Sequence, residues 1–183
     1  MSSKTLIQPQ PIPRLEAERL VLRAFDKSDF DAHLAIMSRP EVNRFLGPPM
    51  TREGLWRRTV ASVGMWTVLG FGGWIVERKA DGKLIGNVGF FDARRDLEPD
   101  FGGAPEMGWI FDPEVHGHGL AGEACRAALD WLDRNLQPTP VWAIISPDNA
   151  PSRRLAARLG FVEVSETVYE NEATLVLKRP ERD

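Results

Sequence analysis

Apolar positions along the chain recur with two periods, and the places where the period changes mark the elements. Arg19-Leu-Val-Leu-Arg-Ala24 is a short run of aliphatic and β-branched residues and predicts a strand. Asp26 then offers an N-cap for a helix reaching about Ser38, in which Phe30, Leu34 and Met37 fall at helical spacing. A second helical stretch begins at Thr51 with Glu53 or Gly54, and Leu55, Trp56, Thr59, Val60, Val63, Trp66 and Val68 supply its apolar face. Between Gly73 and Phe91 the pattern becomes that of strands, with Asp81-Gly82 between two apolar runs. Gly82 accepts the positive φ of a tight hairpin turn, so this stretch predicts an antiparallel pair.

Beyond a loop from Asp92 to Ala104, Glu106–Phe111 is another short apolar strand, followed by the glycine-interrupted run His116-Gly-His-Gly-Leu-Ala121. The helix after it places Ala121, Ala124, Cys125, Ala128, Leu132 and Leu136 on one face, and Pro138 and Pro140 close it. Val141–Ile145 reads as a buried strand. Asn149 with Pro151 opens a further helix that Gly160 ends, and two strands, Phe161–Val168 and Ala173–Lys178, complete the chain. The order β α α β β β α β α β β predicts an α/β (α+β) fold with a central twisted mixed sheet flanked by helices.

At 183 residues, with 23 basic against 26 acidic side chains and a net charge of −3, the chain fits one domain and carries no global signature of a nucleic-acid partner. Three prolines between positions 9 and 13 predict an extended segment over residues 1–14, with the domain proper from 15 to 183. Cys125 is the only cysteine, which excludes an intramolecular disulfide and a polythiolate zinc site and suggests a reducing, cytoplasmic setting. No apolar run is long enough for a signal peptide or a membrane span, so no membrane partner is expected.

The segment with most chemical content is Ile110-Phe-Asp-Pro-Glu-Val-His-Gly-His-Gly-Leu-Ala121. Glycines let the backbone turn sharply and approach an anion, and the first N–H groups of the following helix are unpaired donors at its positive end. Such a loop suits a phosphate, although an ordinary tight strand-to-helix turn accounts for a bare Gly-x-Gly as well. It is neither a Walker loop nor a full dinucleotide fingerprint. His116 and His118 alternate as a metal pair does, but no third ligand stands at suitable spacing, so no metal is expected.

A second motif begins where a neighbouring strand ends: Asn149-Ala-Pro-Ser152, leading to Leu159-Gly-Phe161. Together the two motifs resemble the GCN5-related N-acetyltransferase (GNAT) superfamily, with a Gln/Arg-x-x-Gly-x-Gly/Ala loop and an Asn-x-x-Ser helix start. Arg19–Arg23 and Glu106-Met-Gly-Trp109 are similar to the branch typified by bacterial ribosomal-protein N-terminal acetyltransferases. The similarity spans roughly Leu15 to Lys178.

The resemblance implies an enzyme that uses acetyl-coenzyme A as donor and needs no metal. It implies that His116, Gly117, His118, Gly119, Leu120 and Ala121 cradle the pyrophosphate, and that Asn149 and Ser152 lie beside the pantetheine arm. The backbone of Trp109, Ile110 and Phe111 then pairs with pantetheine, and the sheet splays between the Glu106 and Val141 strands; Arg153, Arg154 and Arg158 lie within reach of the 3′-phosphate, although a solvated basic face accounts for them as well. Glu106, which begins the strand leading to the glycine loop, is the candidate base, acting through water, with a solvated strand-end carboxylate as the alternative, and Ser152 is the candidate stabiliser of the thiolate, with a structural helix-start hydroxyl as the alternative. Two departures stand out. His116 replaces the usual Gln or Arg, and the helix after Asn149 lacks the tyrosine that many members use as acid, the only tyrosine being Tyr169. The implied acceptor is a primary amine, foremost a protein or peptide N-terminal α-amine, with small amines such as polyamines or antibiotics as the alternative. A non-catalytic acyl-coenzyme A sensor is a further reading, as monomer or homodimer. The acidic positions Asp92, Asp96, Glu98 and Asp100 read as a wet loop or lid that would attract a cationic amine.

Overall fold

A computed structural model describes residues 11–181, so the predicted extended segment lies outside the described residues as far as position 10. The strands are β1 (Leu15–Glu16), β2 (Leu20–Arg23), β3 (Gly73–Arg78), β4 (Lys83–Phe91), β5 (Glu106–Phe111), β6 (Val141–Ile145), β7 (Val162–Tyr169) and β8 (Glu172–Arg179). The helices are α1 (Phe30–Met37), α2 (Pro40–Asn43), α3 (Arg52–Leu69), α4 (Leu120–Asn135) and α5 (Ala150–Arg158). One eight-stranded sheet runs in the order β1-β2-β3-β4-β5-β6-β8-β7. Every neighbouring pair is antiparallel except β5 and β6, which are parallel and share a single register pair, Glu106 with Trp142.

The predicted elements are present, with two additions. β1 is a two-residue pair on the sheet edge and α2 a single turn opened by Pro40, both too short to leave a periodic trace. Asp26 caps a 3₁₀ turn rather than α1 itself, accepting from the Ser28 N–H while the Asp29 carboxylate accepts from the Asp26 N–H at 2.7 Å. Chain direction from β2 into α1 is set there.

α4 covers one face of the sheet. Ala124, Cys125 and Ala128 are fully buried against Leu22, Val76 and Val88, and these small residues let the helix lie close. The opposite face carries a smaller cluster of Phe30, Met37 and Leu55, joined by Phe25 and Ile110. α3 departs from the predicted stripe: Leu55, Thr59 and Trp66 are buried, whereas Val60 and Val68 are 48% and 80% exposed. The buried line runs through Leu55, Thr59, Ser62 and Trp66, with the Ser62 hydroxymethyl group against Gly73, and Val60 and Val68 stand roughly 100° or more round the helix from it. Gly89 marks a close approach of backbone to backbone, since a Cβ there would stand 2.4 Å from the Gly73 Cα.

Candidate active site

β5 and β6 begin together and then part. The Trp142 N–H donates to the Pro105 carbonyl at 2.9 Å, and past the Glu106–Trp142 pair no further register is shared among the described residues. Strand alternation fixes what faces the resulting gap. Pro105 bonds toward β6, and the Asp112 N–H bonds toward β4 at the Ile85 carbonyl, so the backbone groups of Met107, Trp109 and Phe111 point into the gap. Those of Gly108 and Ile110 point toward β4. The amides of Trp109 and Phe111 are therefore strand donors that face the gap, whereas Ile110 spends its amide on the ladder and its side chain in the smaller core. The Phe111 side chain is buried in the main core.

Glu106 sits at the closed end of the gap and is 3% exposed. Arg95 grips both its oxygens, Nε to Oε2 at 2.7 Å and Nη2 to Oε1 at 3.0 Å, the fork geometry that suits a carboxylate. Burial pushes the Glu106 carboxyl above the usual range, and the Arg95 guanidinium opposes that rise. Arg95 is itself stacked against Tyr169, its guanidinium carbon 4.9 Å from the ring centre. Neither Arg95 nor Tyr169 was singled out as a site residue from sequence, because nothing local says that the first turns inward from an acidic loop or that the second meets it.

That loop is less open to cations than its composition suggested. Asp92 pairs with Arg94 at 2.8 Å, Asp100 accepts from the Gly102 N–H at 2.9 Å, and Phe101 stacks on Trp142 with ring centres 4.6 Å apart. Two of the four acidic groups are thus engaged locally.

At the other end of β5, Gly117 and Gly119 adopt φ of 80° and 75°, and open space stands where a Gly117 side chain would be. The first intrahelical bond of α4 runs from the Glu123 N–H to the Gly119 carbonyl, so the N–H groups of Leu120, Ala121 and Gly122 have no helical acceptor. The Leu120 side chain is buried in the main core, so the residue contributes backbone only. Exposed His116 donates from Nε2 to the Phe111 carbonyl at 3.2 Å and closes the turn on itself. Arg19 braces the loop from outside, bonding Glu123 through its backbone N–H at 2.6 Å and through Nε at 2.8 Å, and the His118 carbonyl at 3.0 Å. Arg19 was legible only as part of a strand motif, and its bracing role depends on a contact across about a hundred positions.

α5 forms the far wall. The Asn149 side chain caps it by accepting from the Ser152 N–H at 3.2 Å, and the Ser152 hydroxyl lies 3.4 Å from the Trp109 indole nitrogen, which joins β5 to α5 across the gap. Arg154 is exposed, whereas Arg153 is committed to Glu163 and the Pro147 carbonyl. Thus Trp109, Asn149 and Ser152 come together at mid-gap, the His116–Ala121 loop stands at its open end, and Glu106 at its closed end.

A sheet parted over a backbone-lined slot, with an anion-seeking helix terminus at one end and a buried carboxylate at the other, defines a group-transfer fold for an extended phosphorylated donor. A family model described as an acetyltransferase (GNAT) domain matches residues 19–162. The uncharacterized N-acetyltransferase YoaA of Bacillus subtilis is 26% identical over 167 residues, covering 87% of this chain and 90% of that protein. A structure from Bordetella pertussis described as a GnaT-family acetyltransferase superposes with a TM-score of 0.81 at 33% identity, covering 92% of this chain and 99% of that one. Mycobacterium smegmatis RimJ, solved in complex with CoA-disulfide, shares the fold with a TM-score of 0.71 at 18% identity over 93% of this chain and 87% of that one. This chain belongs to the GNAT acetyltransferase family, and it is an acetyltransferase. The GNAT fold uses acetyl-coenzyme A.

Proposed function

We propose that the protein transfers an acetyl group from acetyl-coenzyme A to the N-terminal α-amine of a protein or peptide. The observation that carries this reading is the parting of β5 from β6 directly beyond Glu106, which sets a buried carboxylate at the closed end of a slot whose open end is the glycine loop. The residues present fit the donor. The N–H groups of Leu120, Ala121 and Gly122 and the two left-handed glycines suit its pyrophosphate, with His116 and His118 flanking, and Asn149, Ser152 and the gap-facing amides of Trp109 and Phe111 suit its pantetheine arm. Arg154, free at the surface of α5, suits its 3′-phosphate.

Bound there, acetyl-coenzyme A supplies an activated acetyl thioester. Glu106 accepts the proton that the attacking amine must lose, through one water, and Arg95 favours its carboxylate form against burial. The Trp109 N–H donates to the carbonyl oxygen on which charge develops. Ser152 donates from its hydroxyl to the departing sulfur, the role that a tyrosine fills in many relatives. The peptide acceptor is supported by the likeness of Arg19–Arg23 and Glu106–Trp109 to the ribosomal-protein branch and by the shared fold of RimJ.

The test is thiol release from acetyl-coenzyme A against short peptides with free or blocked N-termini beside polyamines and aminoglycosides. Release with free but not blocked peptides is the expected result. Preferential reaction of the small amines overturns the peptide acceptor. Absence of release from every amine, with acetyl-coenzyme A still raising Tm, favours a sensor.

A further inference from the structure

α3 carries three arginines, and two of them are matched. Arg52 pairs with Asp31 at 2.8 Å and Arg57 with Glu53 one turn away. Arg58 has no carboxylate within salt-bridge distance among the described residues, and its Nη1 lies 4.0 Å from the Met50 sulfur. It is solvent-accessible, yet groups on three different elements feel its charge: Glu106 on β5, Arg95 on the loop and His33 on α1. Leu55, one turn earlier on α3, packs with Ile110 of β5, and Ser62, one turn later, abuts Gly73 of β3, so this part of α3 lies over the face of the sheet to which the side chains of Ile110 and Glu106 both belong.

The charge around it is already balanced. Glu106 is neutralised by the bidentate Arg95, Asp92 by Arg94, and Asp29 by Arg23 at 2.7 Å. Burial and the nearby Arg95 both pull the Arg58 guanidinium below its ordinary range, with Glu106 a smaller opposing influence. Burial likewise lowers His33, which favours the uncharged imidazole there. What remains is the Arg58 guanidinium, unmatched by any carboxylate among the described residues, on the helix that covers this face of the sheet.

Resting on the acetyl-transfer reading above, we propose that Arg58 docks an anionic group of the acceptor, so that the preferred substrate is a peptide N-terminus with an acidic side chain among its first residues. A guanidinium fork fits a carboxylate in bidentate geometry, and pairing it recovers the energy lost by holding the cation partly desolvated. The same charge acts on the nucleophile. A cation near the reacting amine disfavours the ammonium form, which makes the neutral, attacking form more accessible and turns polycations away.

Peptides identical except for Asp, Asn or Lys at the second residue test this, in two forms. N-acetylated versions are titrated calorimetrically onto the protein saturated with coenzyme A, and free-amine versions are assayed for kcat/KM. In the wild type the Asp peptide is expected to bind about tenfold tighter than the Asn peptide, the Lys peptide weakest, with the preference shrinking as salt rises. In Arg58→Gln the Asp-to-Asn ratio is expected to fall to about one, and Arg58→Lys is expected to retain part of it. Equal binding of the three peptides to the wild type overturns the assignment, as does a preference that survives Arg58→Gln. If acidic small amines are acetylated while every free peptide is inert, the peptide reading fails and anion docking at Arg58 stands. If spermidine outcompetes both, anion docking fails as well.

Discussion

Glu106 and Trp142 face each other across the one register pair that joins the two parts of the sheet, and a single loop holds both of them. Arg95 of that loop grips the Glu106 carboxylate, and Phe101 of the same loop stacks on the Trp142 ring at an interplanar angle of 6°. The proposed base is therefore fixed at the apex of the gap by side chains that come from neither wall of it.

Replacing Glu106 by Gln keeps its size and removes the proton acceptor. Turnover is expected to fall about 10²-fold or more, while the affinity for acetyl-coenzyme A stays within about twofold, because the donor's anionic end is held some distance away at the glycine loop. Single-turnover kinetics and calorimetry separate the two effects, and a normal rate removes Glu106 from the chemistry.

The acidic limb of the pH–rate profile is expected to lie above the ordinary glutamate range, since burial raises the Glu106 carboxyl. Arg95 pulls the other way. Arg95→Gln is therefore expected to move that limb to higher pH and to depress kcat/KM below it, with partial recovery as pH rises and the carboxyl ionises. A limb that stays in place shows that Arg95 does not govern the ionisation.

Gly117 offers open space to a side chain but holds φ at 80°, so Gly117→Ala is expected to cost about 1 kcal/mol of backbone strain rather than a clash. Weaker acetyl-coenzyme A binding with Tm lowered by only about 2–4 °C is the expected signature. Gly89→Ala should behave in the opposite way, losing about 2 kcal/mol or more of stability because its methyl group would meet the Gly73 backbone. Chemical denaturation of both variants distinguishes strain at the loop from overlap in the sheet.

Asp29 is half of the helix-start box and also takes two bonds from Arg23, at 2.7 and 2.8 Å. Burial is the largest single influence and works to raise its carboxyl, but Arg23 and the Asp26 N–H together outweigh it and hold the group below the usual range. A depressed carboxyl stabilises the fold above its unfolded pKa of about 3.9, and that stabilisation is lost as pH falls through the folded value. Asp29→Asn is expected to lower stability by about 1–3 kcal/mol near neutrality, with the gap to the wild type closing under acid. Urea midpoints measured between neutral and acid pH check the sign.

Much of this was legible in the sequence because it depends on neighbours along the chain. Asp26 and Asn149 announce helix starts through their own side chains, Gly82 and the Gly117–Gly119 pair announce turns through backbone freedom, and the small residues of α4 announce a close-packed face. Contacts between distant segments left no such trace. The inward turn of Arg95 depends on how residues 92–105 fold back on β5, and Arg58 looks like any solvated arginine until Asp31 and Glu53 are seen to match its neighbours instead. Val60 and Val68 misled for the reverse reason. They count as apolar in the sequence, but Leu55, Thr59, Ser62 and Trp66 form the line that meets the sheet, and both valines stand roughly 100° or more round the helix from it.

The near-absence of backbone pairing between β5 and β6 also bears on how the molecule shares load. With a single register pair spanning the seam, tension applied across it falls on the backbone bonds of that pair, on the Trp109–Ser152 contact and on the side chains beneath α4. A thioester donor lying in the slot would act there as a temporary ninth strand, and amides on both margins should then exchange with solvent together instead of as two independently breathing shells.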